Sequence, residues 1–453
     1  MTQRAMFVLL SLLSCLCGYV LQARAQERGQ HLTLAEAIET ALQHSPILQA
    51  AQQEVVMARA GVEQARAGFL PTLDVQEAFS RSDNPLFVYG AKIGQGVLTQ
   101  EDFTVDLLNN PDETNNFHTT LAMVQPLYNG GKAILEVKRA KLQQQARDRN
   151  LDRQRQEVIF AVARSYYGIL LAQKNQLVSR AARKTAEATV RLAQDRFETG
   201  LVVESDLLSA QVRLASLQEQ DIAASHQIAL AQAMLNDAMG LSLDEQWAID
   251  DQLSQRPVHY SPLEELQKLA LEKRPDYQRL HVEEQALEKK VALARTAFFP
   301  TLSARAQYEI NNKYFAARGQ DSWLVGVVLQ WNLFNGAADR ARLAEAQAEV
   351  ERSRALRVRM ASRVRLEVQE AALNLQAAEE RIGVAQKAVS QAEAALRIVT
   401  DRYQAGLTTI VDLLASEQAL TQAQGNRTRA LYDWNVSLVS LKLAQGTLSR
   451  DSL

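Results

Sequence analysis

The second half of the chain carries an apolar pattern that repeats every seven residues. It consists of a stripe of large side chains and, three positions further along, a stripe of small ones: Val368, Leu375, Ile382, Val389, Leu396 and Tyr403, with Ala371, Ala378, Ala385, Ala392 and Val399. A sustained seven-residue repeat of this kind is typical of helices that pack along their length in a coiled coil. The pattern therefore predicts a long helix with a helical partner.

The first half keeps the small stripe of this pattern. Its members are Ser165, Ala172, Ser179, Ala186 and Ala193, whereas Gln176 and Arg183 make the large stripe partly polar. No proline lies between Leu127 and Arg256 or after Pro300, as long helices require. We therefore expect helices over 131–199 and 336–405, each about 70 residues and roughly 100 Å long.

A different periodicity precedes each predicted long helix. Apolar and polar residues alternate from Leu302 to Asn311, and the next segment places Trp323, Val325, Val327, Leu329 and Trp331 on one face. Strict alternation predicts strands with one apolar and one polar face. Trp323 and Trp331 lie about 26 Å apart along such a strand, a spacing that suits the aromatic girdle residues of a transmembrane β-barrel.

The first half offers a weaker version of the same strand pair. Leu73, Val75 and Phe79 alternate with polar residues, and Glu77 interrupts their apolar face. A second strand follows near 117–127. The stretch between them, roughly 81–116, is rich in Asn, Asp and Gly and reads as an enlarged connection between the two strands.

An internal duplication explains why these patterns occur twice. The segment that begins at Asp195, with the sequence DRFETGL, recurs 206 positions later as DRYQAGL, and Leu127-Tyr-Asn-Gly, Asp206-Leu-Leu and Gly240 recur at the same offset. Gly200 and Gly406 fall where each long helix should end and reverse. Two copies of one structural plan are the simplest account of these matches.

The duplication gives the following domain organisation. Residues 1–25 are expected to be a signal peptide. Residues 26–255 form a first structural repeat with strands at about 69–80 and 117–127 and a helical hairpin at 131–240. Residues 256–453 form a second repeat with strands at about 299–311 and 322–333 and a helical hairpin at 336–446.

The amino terminus predicts export from the cytoplasm. Arg4 precedes an apolar stretch, and Ala23-Arg24-Ala25 fits a cleavage site. A competing site at Cys15 loosely resembles a lipoprotein processing site, so lipidation of Cys15 stays open. After cleavage the chain keeps no cysteine, because Cys15 and Cys17 both lie in the signal. No later apolar run reaches the roughly 18 residues of a membrane helix, so any membrane crossing must use strands.

The sequence lacks the motifs of enzymes and of cofactor or metal sites. There is no H-E-x-x-H, no G-x-x-x-x-G-K-[ST], no G-x-G-x-x-G and no G-x-S-x-G, and the six histidines are scattered. The formal net charge of -2 becomes -4 once Arg4 and Arg24 are removed, which argues against a nucleic-acid partner. We expect no catalytic residue, no cofactor and no metal.

Taken together, the residues resemble the TolC family of outer-membrane efflux proteins. The resemblance runs from Leu34 to Leu448 and depends on the duplicated plan, the Pro-Thr-Leu start of each first strand, the L-[YF]-N-G turn and the D-R-[FY]-x-x-G-L tips. It implies a mostly α fold with a membrane β-barrel. In such a fold, long coiled-coil helical hairpins and four transmembrane strands per protomer form a homotrimeric 12-stranded barrel and a 12-helix periplasmic barrel.

The resemblance also implies a function and site residues. The chain would be the outer-membrane exit duct of a tripartite efflux or type I secretion system, driven by an inner-membrane transporter through a periplasmic adaptor. By motif match, Gly200, Leu201, Gly406 and Leu407 face the adaptor, and Asp206, Asp412 and Tyr403 lie at the periplasmic entrance. Ala415 and Thr408 stand where the family often has a second acid and a basic residue.

Two alternatives stay open. The sequence from Thr409 to Asp412 fits a helix capping box, so Asp412 could cap its helix without forming an entrance ring, and Asp206 could serve the helix dipole alone. A soluble periplasmic coiled-coil scaffold or adaptor would share the helical pattern but would not need strands with aromatic ends. The transported substrate and the class of transporter do not follow from the sequence.

Overall fold

The structure is a computed structural model, and it describes residues 30–249, 251–257, 261–317 and 319–452. The expected signal peptide at 1–25, including Cys15, lies outside the described residues.

The described chain contains ten α-helices and six strands. The helices are α1 Leu34–His44, α2 Pro46–Arg66, α3 Pro85–Gly94, α4 Val105–Asn109, α5 Lys132–Glu198, α6 Glu204–Met239, α7 Leu263–Lys273, α8 Pro275–Thr296, α9 Ala338–Gln404 and α10 Ile410–Gln445. The strands are β1 Gln30–His31, β2 Thr72–Ser82, β3 Thr114–Tyr128, β4 Trp247–Ala248, β5 Thr301–Asn312 and β6 Gln320–Gln330. Across these ranges, no helix combines the length and the apolar character needed to cross a membrane.

The chain divides into two compact units. Unit one comprises residues 30–53, 149–278 and 359–452, and unit two comprises residues 54–148 and 279–358.

Unit two is built around a four-stranded antiparallel sheet. The strand order is β2-β3-β5-β6, so the central β3–β5 pair joins a strand of the first half to a strand of the second. Leu121 faces Tyr308 in that pair. Within the described residues, the outer strands β2 and β6 each pair on one side only, which leaves two open edges. Open edges expose backbone donors and acceptors that favour pairing with a further strand.

The two faces of this sheet differ in chemistry as the alternation predicts. One face presents exposed apolar side chains that include Val75, Val325 and Trp323, the last 75% exposed. Glu77 lies on this face and accepts a hydrogen bond from the Thr119 hydroxyl, which compensates for a carboxylate among apolar neighbours. The opposite face carries polar residues such as His118 and Asn311, which are hydrogen-bonded to each other at 2.9 Å.

Two details of the sheet depart from the sequence prediction. The expected strand at 322–333 ends at Gln330, so Trp331 follows the strand, and its indole donates to the Phe298 carbonyl at 3.1 Å. The connection expected at 81–116 is shorter, because β2 and β3 extend into it, and it contains α3 and α4. Asn84 caps α3 and Pro85 is its first residue, which is a helix start that periodicity alone does not reveal.

The long helices α5 and α9 have 67 residues each and occupy the two proline-free regions. The apolar seam predicted for α9 is buried in unit one, where Val368, Leu375 and Ala378 pack with Trp434 of α10. Burial of this continuous stripe supplies the apolar area that holds the second helical hairpin together.

The first helical hairpin replaces part of that apolar seam with polar contacts. The Gln176 amide donates to the Ser225 hydroxyl at 2.8 Å, and the Arg183 guanidinium pairs with Asp221 at 2.9 Å. The polar residues that weaken the seven-residue pattern in α5 therefore have polar partners on α6.

A buried arginine links three segments of unit one. Arg274 is 1% exposed and pairs with Asp276 at 2.7 Å and with Glu367 at 2.6 Å. It also donates to the Ala444 carbonyl at 3.4 Å. Gly446, with φ of +71°, ends α10 against the Arg274 backbone, where a Cβ atom would lie 2.7 Å from the Arg274 nitrogen. Both the charge network and the close approach fix the end of α10.

Candidate functional site

The candidate site consists of the two turns at which the long helices reverse. We call residues 199–203, between α5 and α6, the first tip, and residues 405–409, between α9 and α10, the second tip. Gly200 and Gly406 adopt φ of +73° and +76°. Residues with a Cβ atom rarely adopt this left-handed conformation, so glycine at these positions lets each helix end in a tight turn.

The same hydrogen bonds close both tips. The Leu201 amide donates to the Arg196 carbonyl at 2.8 Å, and the Leu407 amide donates to the Arg402 carbonyl at 2.8 Å. This bond pattern leaves the leucine side chains pointing away from the helices, 70% and 68% exposed. The structure thus places the four residues that the sequence assigns to adaptor contact at equivalent, accessible positions.

Asp412 forms the capping box that the sequence predicts. Its carboxylate accepts hydrogen bonds from the Thr409 amide at 3.2 Å and the Thr409 hydroxyl at 2.8 Å. The Thr408 hydroxyl donates to the same oxygen at 2.6 Å. These bonds, with that from Thr408 the strongest, lower the pKa of Asp412, so the carboxylate is charged at neutral pH. Thr408 therefore contributes to the second tip as a hydrogen-bond donor.

Asp206 lies in the first turn of α6 but makes no side-chain cap. The residue at the N-cap position is Val203, and the Asp206 amide donates to the Val203 carbonyl at 3.0 Å. A carboxylate in the first turn still interacts favourably with the helix dipole. The two acidic tip residues therefore differ, since Asp412 is held by hydrogen bonds and Asp206 is half-buried without a capping bond.

Tyr403 is buried at the end of α9 beneath an arginine from the end of α5. The Arg196 guanidinium carbon lies 4.8 Å from the centre of the Tyr403 ring. Arg196 also donates to the Gln404 carbonyl at 2.5 Å. Burial raises the pKa of Tyr403, Arg196 lowers it, and the nearby Asp206 raises it. The structure thus brings together Tyr403, Asp206 and Arg196, the last of which the sequence interpretation did not include.

An apolar cluster supports this group. Ile410 and Leu413 of α10 are buried with Tyr403, and Leu192 of α5 packs against them. The helix ends beside the second tip therefore contact the end of α5 through this apolar cluster and through the charged Arg196 side chain.

A second group of site residues, which the sequence analysis did not predict, lies next to the tips. Glu417 of α10 is 6% exposed and accepts a hydrogen bond from the Thr189 hydroxyl of α5 at 2.6 Å. Its other oxygen, Oε2, has no hydrogen-bond partner among the described residues. Burial raises the pKa of Glu417, and Thr189 and Arg213 offset only part of that effect. A buried carboxylate with an unpartnered oxygen is an unfavourable group for stability at neutral pH.

Glu417→Gln is expected to stabilise the protein by about 1–3 kcal/mol at neutral pH, because it removes the buried charge and retains an acceptor for Thr189. A raised folded-state pKa gives stability that is fully present below the unfolded value of 4.5 and is lost as the pH rises through the folded-state pKa. Wild-type protein should therefore lose stability more steeply than the variant as the pH rises above 4.5. The measurement is the urea midpoint of detergent-solubilised protein across that range. Equal midpoints of the wild type and Glu417→Gln at every pH would contradict this prediction. The control is Glu219→Gln, which replaces an exposed glutamate and should not change the midpoint.

Long helices that reverse at exposed tips and an antiparallel sheet with an exposed apolar face agree with the outer-membrane channel class that the sequence predicts. A family model described as outer membrane efflux protein matches residues 37–241 and 266–447. The chain belongs to that family.

Individual relatives and a solved structure agree with this assignment. The chain is 24% identical to the alkaline protease secretion protein AprF of Pseudomonas aeruginosa, over 93% of this chain and 86% of the relative. It is 25% identical to the proteases secretion protein PrtF of Dickeya chrysanthemi, over 94% and 90%. The structure of the outer membrane protein VceC from Vibrio cholerae has a TM-score of 0.74 at 22% identity, covering 91% of this chain and 96% of that one.

These findings establish the location and the general activity of the chain. It is an outer-membrane channel protein for efflux or secretion, and its family consists of transport proteins rather than enzymes. The outer-membrane location excludes the alternative of a soluble periplasmic scaffold.

Proposed function

We propose that three copies of the chain form one exit duct through the outer membrane. The observation that supports this most directly is the sheet of unit two, which has two open edges, β2 and β6, and an exposed apolar face. Four strands cannot enclose a lumen, whereas three copies of the sheet supply twelve strands in a closed barrel. Closure pairs β2 of each copy with β6 of the next, and the apolar face with Trp323 and Trp331 contacts lipid.

The helices support the same assembly. On α9 several apolar side chains are exposed in the single chain, among them Leu366, Leu373, Val384 and Ile398. Exposed apolar stripes on a long helix favour contact with further helices. In the trimer, α5, α6, α9 and α10 of each copy form a barrel of twelve helices that extends into the periplasm.

The tips then form the contact with the rest of the export system. Gly200, Leu201, Gly406 and Leu407 present a small residue next to an exposed leucine at two equivalent turns, which suits the apolar face of a partner helix. We assign these positions to a periplasmic adaptor. The adaptor connects the duct to an inner-membrane transporter, which supplies the energy for export.

The relatives favour a polypeptide as the cargo. AprF and PrtF are both named for the secretion of proteases, and the chain covers most of their length. Export of small molecules by an efflux system is the second candidate, and the solved channel structures show the same fold.

Asp206, Asp412 and Tyr403 are proposed to line the periplasmic entrance, where threefold symmetry produces a ring of carboxylates. A ring of negative charge in a narrow opening favours cations. Asp412→Asn should therefore lower the cation-to-anion permeability ratio of the channel in planar bilayers by roughly half or more. Asparagine retains an acceptor for the Thr409 amide, so the helix cap is preserved.

The control is Asp237→Asn, which removes an exposed charge near the other end of α6. It should leave the permeability ratio unchanged. If Asp412→Asn also leaves it unchanged while the channel still conducts, Asp412 is only a helix cap and the entrance ring is wrong.

A further inference from the structure

The segment between β2 and β3, residues 83–113, is a folded unit. Lys92 of α3 pairs with Asp102 at 2.7 Å, and the Tyr89 hydroxyl donates to the Asp102 carbonyl at 2.7 Å. Asp102 also accepts from the Thr99 amide at 2.8 Å, and Val88 is fully buried. These contacts hold α3 and the turn after it in one arrangement. We call residues 83–113 the insert.

Three consecutive residues of the insert dock on the sheet. The Gln95 side chain donates to the Asn116 side chain at 2.9 Å and to the Asn115 carbonyl at 2.8 Å. A Cβ atom at Gly94 would lie 3.1 Å from the Asn311 side chain. A Cβ atom at Gly96, where φ is +69°, would lie 2.9 Å from the Gln320 side chain. A Cβ atom at either position would press on the side chain that it faces, and the φ of Gly96 favours glycine, so the two glycines suit this close approach.

The insert lies on the polar face of the sheet. Asn311 and Gln320 are cross-strand partners, and Asn116 donates to Asn311 at 2.8 Å, so the residues that contact the insert share one face. The apolar face carries instead the Phe79–Phe117 contact at 4.8 Å. The insert therefore reaches across β3, β5 and β6 on the side opposite the exposed apolar surface.

The insert also lies at a defined end of the strands. It contacts β3 near its first residues, whereas the last residue of β3, Tyr128, leads towards α5. The end that carries the insert is thus the end away from the connection to the long helices. In the proposed duct, this end faces the cell exterior and the polar face lines the lumen.

We propose that the insert is a cap over the outer opening of the barrel, and this inference rests on the proposed function. The three inserts, one from each chain, lie over the polar face and extend towards the threefold axis of the barrel. The most exposed apolar side chains of each insert are Leu86, which is 88% exposed, and Val105, which is 76% exposed, followed by Ile93 and Phe103. These side chains contact the neighbouring copies of the insert above the opening. The cap limits access from outside to the polar face and must move aside when cargo leaves.

The experiment uses a single cysteine placed on the polar face of β3, as Thr120→Cys. In one variant, a short Gly-Ser linker replaces residues 85–111. Intact cells are treated with a membrane-impermeant maleimide that carries a polyethylene glycol chain. The labelling rate of the cysteine is then compared between the protein with the insert and this variant. If the reagent reaches Thr120→Cys only when a minor population of the cap is open, removal of the insert should raise the labelling rate by roughly tenfold or more. Lys313→Cys, in the exposed connection between β5 and β6, is the control and should label at the same rate in both backgrounds.

A second variant covers the case in which the replacement does not assemble. Gln95→Ala removes both docking hydrogen bonds of this side chain and should raise the labelling rate of Thr120→Cys several-fold, whereas Gln100→Ala, at an exposed position of the insert, should not. Equal rates in wild type, in the insert replacement and in Gln95→Ala would overturn the cap. If Thr120→Cys stays unlabelled without the insert while Lys313→Cys reacts, the polar face does not line an open lumen, and the proposed duct fails instead.

Discussion

Replacing Arg196 with alanine should raise the conductance of the channel in planar bilayers by on the order of tenfold. Arg196 lies over the buried Tyr403 ring at 4.8 Å and donates to the Gln404 carbonyl, so it ties the end of α5 to the end of α9. A partly desolvated cation–π contact and a hydrogen bond from a charged group together contribute about 2 kcal/mol or more. If these contacts hold the proposed periplasmic entrance closed, their loss should shift the entrance towards an open state by roughly thirtyfold.

The matched control is Arg191→Ala, which removes an exposed arginine five positions earlier on the same helix. Its conductance should equal that of the wild type. If Arg196→Ala also behaves as the wild type while forming the same assembly, the contact between the ends of α5 and α9 does not restrain the entrance.

Replacing Arg274 with methionine should destabilise the protein by about 3–5 kcal/mol, because a broken buried ion pair leaves its partner charges uncompensated. Arg274 is buried and contacts both Asp276 and Glu367. The measurement is the urea midpoint of detergent-solubilised protein. Arg363→Met is a sharp control, since Arg363 pairs with the same Glu367 at 2.7 Å but its side chain is 71% exposed. Exposed pairs contribute about 0–1 kcal/mol, so this variant should change stability little.

The destabilisation caused by Arg274→Met should shrink in acid. Burial would raise the pKa of Asp276 and of Glu367, but the hydrogen bonds and charge of Arg274 outweigh it and lower both. A lowered pKa gives stability that is present above the unfolded value and is lost as the pH falls through the folded value. The difference between wild type and variant should therefore be largest near neutral pH and decrease below the unfolded values of 3.8 and 4.5. A difference that stays constant down to this range would contradict the role assigned to the ion pairs.

The helices and the sheet could be predicted because their signals are local and periodic. The seven-residue stripe through Val368 and Leu375 reports burial on one helix face, and the alternation from Leu302 reports the two faces of a strand. The insert was harder to predict because α3 has only ten residues and is fixed by contacts outside the helix. Asn84 followed by Pro85 is the one local signal of its start.

The candidate site could be predicted only where the tip motifs repeat. Gly200 and Gly406 stand out because both copies need the same turn, and Asp412 because a capping box is local. Arg196 is part of the repeated motif, but its contact with Gln404 spans 208 positions, so no local pattern reveals it. The pairing of Glu417 with Thr189 spans 228 positions, and a lone glutamate in a helix gives no sign of burial.

The number of chains in the assembly tests the central claim most directly. Native mass spectrometry of the protein extracted from the outer-membrane fraction in mild detergent measures it without reference to cargo or partners. The account predicts a mass equal to three mature chains, the homotrimer that the resemblance to the TolC family implies, in which three four-stranded sheets close into one barrel. A mass equal to one chain in that fraction would leave β2 and β6 unpaired in the membrane and would contradict the proposed duct.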